Sequence, residues 1–168
     1  MLNAQLVRTA AGVLALGLVS TAALAGGYGG SANPASPIAP QEAQAFLAYA
    51  DQYRDGDFGV SHTEAAGAAA KTGAHGESAS GYGSSDTWIE APGCTTSWKR
   101  SVQRSGSSAT NGSASATGFT ATFLKVRTAD GRYYMFKGMA GTGASAGPGG
   151  TSATQYGMAK SAGGQVSR

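Results

Sequence analysis

Apolar positions cluster at the start of the chain and thin out sharply after it. An uninterrupted small and apolar run extends from Ala10 through Val19, behind a short segment that carries Arg8 and no acid, and it closes on Ala23-Leu24-Ala25. A basic head, an apolar middle and a small-x-small end predict a cleavable secretory signal peptide over residues 1–25. The run is too short to span a bilayer as a helix, which takes about 20 residues, and nothing later is apolar enough. The expected mature chain is therefore secreted, periplasmic or held at the cell surface, with no transmembrane helix, and the Ala-rich style of the leader suggests a bacterial cell.

Beyond the leader, periodicity predicts one helix and a small sheet. Residues 26–39 are Gly-, Pro- and Ser-rich and read as a flexible linker. From Pro40 to about Asp55, Phe46, Tyr49, Ala50 and Tyr53 recur at three- and four-residue spacing, an aromatic stripe on a helix that starts with proline in its first turn. Residues 56–85 hold so much Ala, Gly and Ser that the stretch reads as irregular backbone, with tightly packed small-residue strands as the alternative. Asp86–Ala91 and Thr95–Arg104 have the composition or alternation of strands. In the second, Thr96, Trp98, Arg100, Val102 and Arg104 share one face.

The clearest element is a hairpin over 119–139. Asp130-Gly131 is a preferred pair for a two-residue type I′ turn. That turn sets Arg127 opposite Tyr134 and Lys125 opposite Phe136, a face of cations beside aromatic rings, and it leaves Leu124, Val126 and Met135 for the core. The tail, 141–168, returns to Gly, Ser, Ala and Thr and reads as flexible, unless Thr151–Ala159 adds an edge strand. The expected fold is mainly β: a small antiparallel sheet centred on 86–140, one N-terminal helix near 40–55, a single α+β domain over 40–140, and flexible Gly/Ser/Ala-rich flanks.

Composition limits the core. After the leader the only Ile are Ile38 and Ile89 and the only Leu are Leu47 and Leu124. Each buried large side chain contributes ~1.5–3 kcal/mol, so little apolar burial is available to offset the entropy of ordering a chain of this length. A small core with much of the remainder disordered, or ordered by assembly, is the expectation. Cys94 is the one cysteine, so an exported chain has no internal disulfide to compensate.

Charge divides the chain in two. From Glu42 to Glu90, the acids Glu42, Asp51, Asp55, Asp57, Glu64, Glu77, Asp86 and Glu90 stand against only Arg54 and Lys71. Beyond residue 90 the bases Lys99, Arg100, Arg104, Lys125, Arg127, Arg132, Lys137, Lys160 and Arg168 face Asp130 alone. Either the halves neutralise one another within a monomer, or the basic half docks on an anionic surface.

Candidate chemistry is sparse. His62-Thr63-Glu64 and His75-Gly76-Glu77 repeat a His-x-Glu pair, so His62, Glu64, His75 and Glu77 are candidate ligands for zinc or copper. No nucleophile elbow, catalytic triad or phosphate-cradling loop is present, and no cofactor is implied. An enzyme built on the His-Glu segment is the least favoured reading. Two others lead: an exported structural or interaction protein of the cell envelope or surface (matrix, adhesin or assembly component), or a small module that binds an anionic glycan through Trp98, Arg100, Arg127, Tyr134 and Phe136. The expected partners are a second copy, another envelope protein or an anionic polysaccharide. Export argues against nucleic acid.

Overall fold

A computed structural model describes residues 41–74 and 76–166, and the expected leader and linker lie outside the described residues. Seven strands follow one another: β1 (Gln41–Asp55), β2 (Phe58–Gly73), β3 (Gly76–Glu90), β4 (Thr95–Thr110), β5 (Ser113–Thr128), β6 (Arg132–Gly147) and β7 (Gly150–Gln165). Each holds 15 or 16 residues. At about 3.4 Å per residue that is roughly 50 Å, far longer than the usual strand of ~3–10 residues. Strands β1-β2-β3 make one antiparallel meander, sheet A, and β4-β5-β6-β7 make a second, sheet B. The sheets stack face to face with a stagger: β3 lies over β4 and β5, β2 over β5 and β6, and β1 over β6 and β7.

Turn chemistry drives this meander. Gly56-Asp57 joins Asp55 to its partner Phe58 with Gly56 at φ 59, the left-handed first position that a type II′ turn reserves for glycine. Asn111-Gly112, at φ 52 and 77, joins Thr110 to Ser113 as a type I′ turn.

Between the sheets, side-chain size falls from one end of the strands to the other. Near the β1–β2 turn, Phe58, Val60, Leu124, Val126, Tyr134 and Phe136 form an apolar cluster, flanked by Tyr53 and Ile89. At the far end the core is alanine: Ala43, Ala68, Ala70, Ala114, Ala116, Ala144 and Ala146. Between these clusters the two backbones come into contact. A Cβ placed on Gly118 would lie 2.2 Å from the Tyr82 carbonyl oxygen and 2.3 Å from that of Gly67, and Cβ atoms on Gly81 and Gly83 would lie 2.1 Å from the carbonyls of Thr117 and Phe119. Close approach of backbone and methyl groups supplies the dispersion contacts that larger side chains supply elsewhere.

The mainly β expectation holds, and the strands foreseen at Asp86–Ala91 and Thr95–Arg104 fall largely within β3 and β4. Other expectations are corrected. Gln41–Asp55 is a strand, not a helix. Its Ala, Gln and Glu favour a helix locally, but Ala43, Ala45, Leu47 and Tyr49 also alternate, and all four are buried against sheet B. Residues 58–73 form β2 and 76–85 most of β3, the small-residue strands given as the alternative to irregular backbone. The tail, rather than a flexible flank, forms the end of β6 and the edge strand β7, which contains Thr151–Ala159. Alanine and glycine admit a second sheet at contact distance, which the count of large side chains did not reveal.

The hairpin forms, but in a different register. Gly131 N–H donates to the Thr128 carbonyl at 3.1 Å and Gly131 sits at φ 92. The loop is therefore the three residues Ala129–Gly131, a type I turn closed by a left-handed glycine. Thr128 Oγ1 steadies it by donating to the Asp130 carboxylate and lying 3.1 Å from the Arg132 carbonyl. Arg127 now pairs with Tyr133, Val126 with Tyr134, Lys125 with Met135 and Leu124 with Phe136. A shift of one residue exchanges the faces of a strand. Tyr134 and Phe136 turn inward, while Tyr133 and Met135 turn outward.

Candidate functional site: the outer face of sheet B

The charge division in the chain becomes a division between layers. No Asp or Glu stands in any strand of sheet B. One of its bases, Arg132, turns toward sheet A: its guanidinium donates to Asp57 Oδ1 at 2.6 Å and to the Asp55 carbonyl at 2.7 Å, and it also pairs with Asp130. Lys99 reaches the Ser85 carbonyl of β3 at 2.9 Å. The others point away from sheet A. The two halves pack together, yet among the described residues most of the basic side chains of sheet B have no acidic partner.

Register places these bases on one surface. Since Leu124, Val126, Tyr134 and Phe136 face inward, their neighbours in sequence face outward. One row across the four strands reads Arg100, Phe123, Lys137, Lys160. The row on one side is Trp98, Lys125, Met135, Ala162, and beyond it stands Thr96, Arg127, Tyr133, Gly164. On the other side lie Val102, Ala121, Met139, Met158 and then Arg104, Phe119, Gly141, Tyr156. These five rows cover about 27 Å along the strands and about 14 Å across them at ordinary β spacings. Arg100, Arg104, Lys125, Arg127, Lys137 and Lys160 are all exposed. Trp98 is 53% and Tyr156 55% exposed, and Trp98 rests edge-on against Phe123 at 5.2 Å. Lys137 and Lys160 are directly paired neighbours, an arrangement that destabilises a sheet unless something anionic lies over it.

Of the residues foreseen as a binding surface, Trp98, Arg100 and Arg127 lie on this face, while Tyr134 and Phe136 lie in the core at 1% and 2% exposure. Lys125, Lys137, Lys160, Arg104, Tyr133 and Tyr156 join the face. Period-two alternation from Trp98 and Arg100 extends to Arg104. Lys125 alternates with Arg127 within β5, whereas Lys137, Lys160, Tyr133 and Tyr156 needed the strand register.

The candidate metal ligands do not converge. His62 and Glu64 point into the sandwich from β2, both 1% exposed. Glu77 belongs to β3 at the level of Thr72, roughly 34 Å along the strands from His62, and its carboxylate accepts the Gly112 N–H. His75 lies outside the described residues. Among the described residues no three His, Cys, Asp or Glu side chains come together, and no helix is long and apolar enough to cross a membrane.

His62 and Glu64 instead occupy a polar band in the core. His62 Nδ1 lies 2.8 Å from the Thr87 hydroxyl and its ring packs at 4.2 Å on Phe136. Burial, helped by the Lys99 charge, pulls its pKa down to about 4. Glu64 is wedged against the glycine backbone of Gly138, where an added Cβ would meet its Oε1 at 2.3 Å. Burial pushes its pKa up to about 7, against the weaker pull of the Thr122 hydroxyl and Lys99. Tyr134 donates its hydroxyl to Asp51 Oδ2 at 2.6 Å, and burial followed by that carboxylate raises its pKa. Tyr134→Phe is expected to cost about 2 kcal/mol of unfolding free energy, the worth of a buried hydrogen bond to a charged acceptor. Denaturant melts measure this, and polymer binding should not change.

Compared with known proteins, the chain matches no family model, no curated protein sequence and no solved structure.

Proposed function

We propose that this is an exported interaction protein of the bacterial cell envelope or surface, and that the outer face of sheet B holds an anionic glycan or comparable envelope polymer. The observation that carries the reading is the set Arg100, Arg104, Lys125, Arg127, Lys137 and Lys160, exposed together on one face of a sheet whose strands contain no acid. Long-range attraction draws a polyanion to such a surface. The exposed rings of Trp98 and Tyr156 offer amphipathic plates on which sugar rings can stack. A flat face with cations spread along it suits an extended chain better than a small molecule, which calls for a concave pocket. The leader expected at residues 1–25 supports a periplasmic or surface location and disfavours nucleic acid as the partner.

Calorimetric titration of the purified protein with a polyuronate, an uncharged glucan and single-stranded DNA tests this. The polyuronate should bind, the glucan should not, and Lys137→Glu combined with Lys160→Glu should weaken binding at least tenfold, or about 1.4 kcal/mol. Equal binding of the glucan, an unaffected double variant, or a preference for the DNA would overturn the proposal.

A further inference from the structure

We infer that this protein pairs with a second copy of itself along the side of the sandwich where β3 and β4 lie, about a two-fold axis parallel to the strands. The inference is independent of polymer binding. β3 is the outer strand of sheet A, β4 is the outer strand of sheet B, and β3 lies over β4, so both edges are on the same side. Among the described residues no strand hydrogen-bonds to either outer edge. Edges of 15 and 16 residues present long rows of backbone donors and acceptors, the feature that templates strand addition. Among the described residues, the Lys99 ammonium covers only the Ser85 carbonyl of the β3 edge.

The stagger selects the symmetry. Because β3 sits over both β4 and β5, sheet B overhangs sheet A on this side by about half a strand spacing. Two overhangs interlock only if sheet B of one copy meets sheet A of the other. A two-fold axis parallel to the strands does this and leaves strand directions unchanged. β3 and β4 are consecutive strands joined by the short 91–94 connection, which reverses the chain, so β3 beside the partner's β4 is an antiparallel pair. The reciprocal pair forms at the same time, as a closed isologous interface requires.

The side chains fit that arrangement. Ser85 Oγ lies 2.8 Å from Thr122 Oγ1, and Thr122 is the β5 partner of Ser101, so Ser85 and Ser101 share a level along the strands. Rotation about an axis parallel to the strands preserves level. Trp88 therefore comes beside the partner's Trp98, and Asp86 beside the partner's Arg100. These residues are all exposed, with Trp88 at 72%. Trp88 and Asp86 alternate with the inward-facing Thr87 and Ile89 on β3, and Trp98 and Arg100 lie on the outer face of β4, so the pairs meet on one continuous surface. The carboxylate of Asp86 complements the guanidinium of Arg100, and two exposed indoles at free edges gain a partner. The exposed Cys94, in the connection between the two edge strands, lies close to the end of the axis.

Analytical ultracentrifugation of the purified protein across a micromolar series tests this, with circular dichroism to confirm that each variant retains its sheet. The expected species is a dimer. Asp86→Arg and Arg100→Asp should each weaken dimerisation at least tenfold, and the two combined should restore it. A short thiol-to-thiol cross-linker should capture a covalent dimer through Cys94 in the wild type and the double variant but not in the single variants. A monomer throughout the series, a dimer indifferent to both single reversals, or a double reversal without rescue would overturn the inference.

Discussion

Gly118→Ala is expected to reduce unfolding free energy by about 3 kcal/mol or more, at the upper end of the cost of overpacking a core. The added methyl would point between β2 and β3, 2.2 Å from one carbonyl oxygen and 2.3 Å from another. Neither obstacle is the movable end of a side chain. Both are backbone atoms of sheet A, so relief requires the sheets to separate. Separation would strip contacts from the alanine end, where methyl groups are all the core there is. The same change at Gly106, whose Cβ would meet only the Thr117 hydroxyl at 3.3 Å, should cost far less. Denaturant unfolding of the two variants side by side measures the difference, and equal stabilities would show that the sheets do not touch at Gly118.

Glu64→Gln is expected to reveal an opposed pair of pH dependences hidden in the wild type. Glu64 is held protonated, with its pKa raised from 4.5 to about 7. Its contribution is complete below the unfolded value and is lost as pH rises toward 7. His62 is held neutral, with its pKa lowered from 6.5 to about 4, so it costs stability as pH falls from 6.5 toward 4. Each shift corresponds to about 3 kcal/mol, and between pH 4.5 and 6.5 the two slopes oppose each other. In Glu64→Gln the histidine slope is left alone. Relative to wild type, the stability of the variant should climb by about 3 kcal/mol between pH 4 and pH 8. Urea melts at half-unit pH steps measure this, and a variant whose profile parallels the wild type would show that Glu64 is ionised in the core.

Some of this architecture was legible in the chain and some was not, for identifiable reasons. Strand composition around Asp86–Ala91, Thr95–Arg104 and the 119–139 hairpin declares a sheet because Trp, Ile, Val, Phe and Tyr stand there among polar alternates. Gln41–Asp55 carries two periodicities at once: Phe46, Tyr49 and Tyr53 at helical spacing, Ala43, Ala45, Leu47 and Tyr49 at spacing two. Only the long neighbouring strand β2 decides between them. Strands built from Ala, Gly, Ser and Thr have no hydrophobic signature, yet their punctuation was visible. Strands begin at residues 41, 58, 76, 95, 113, 132 and 150, at intervals of 17 to 19, and Gly56, Gly93, Gly112, Gly131 and Gly150 mark their turns with left-handed backbone. Asn111-Gly112 is as strong a hairpin signal as Asp130-Gly131.

The candidate site was half legible for a related reason. Trp98, Arg100 and Arg127 could be read from alternation within a strand. The companions on β6 depended on one residue of loop length, because Asp-Gly serves both a two-residue turn and a three-residue loop with a left-handed glycine. Choosing the first placed Tyr134 and Phe136 outside. The pairing Val126–Tyr134 puts them in the core, where Tyr134 meets Asp51 and Phe136 meets His62.

The central claim is that the cations of sheet B face outward and hold a polyanion, and lysine footprinting addresses it most directly. The amines are modified by reductive methylation with and without a polyuronate, and the labelling of each lysine is compared by peptide mass spectrometry. Lys125, Lys137 and Lys160 should be strongly protected by the polymer, whereas Lys71, exposed on the outer face of sheet A, should label at an unchanged rate. Protection of Lys71 equal to that of Lys137 and Lys160, or no protection at any of them, would contradict the account.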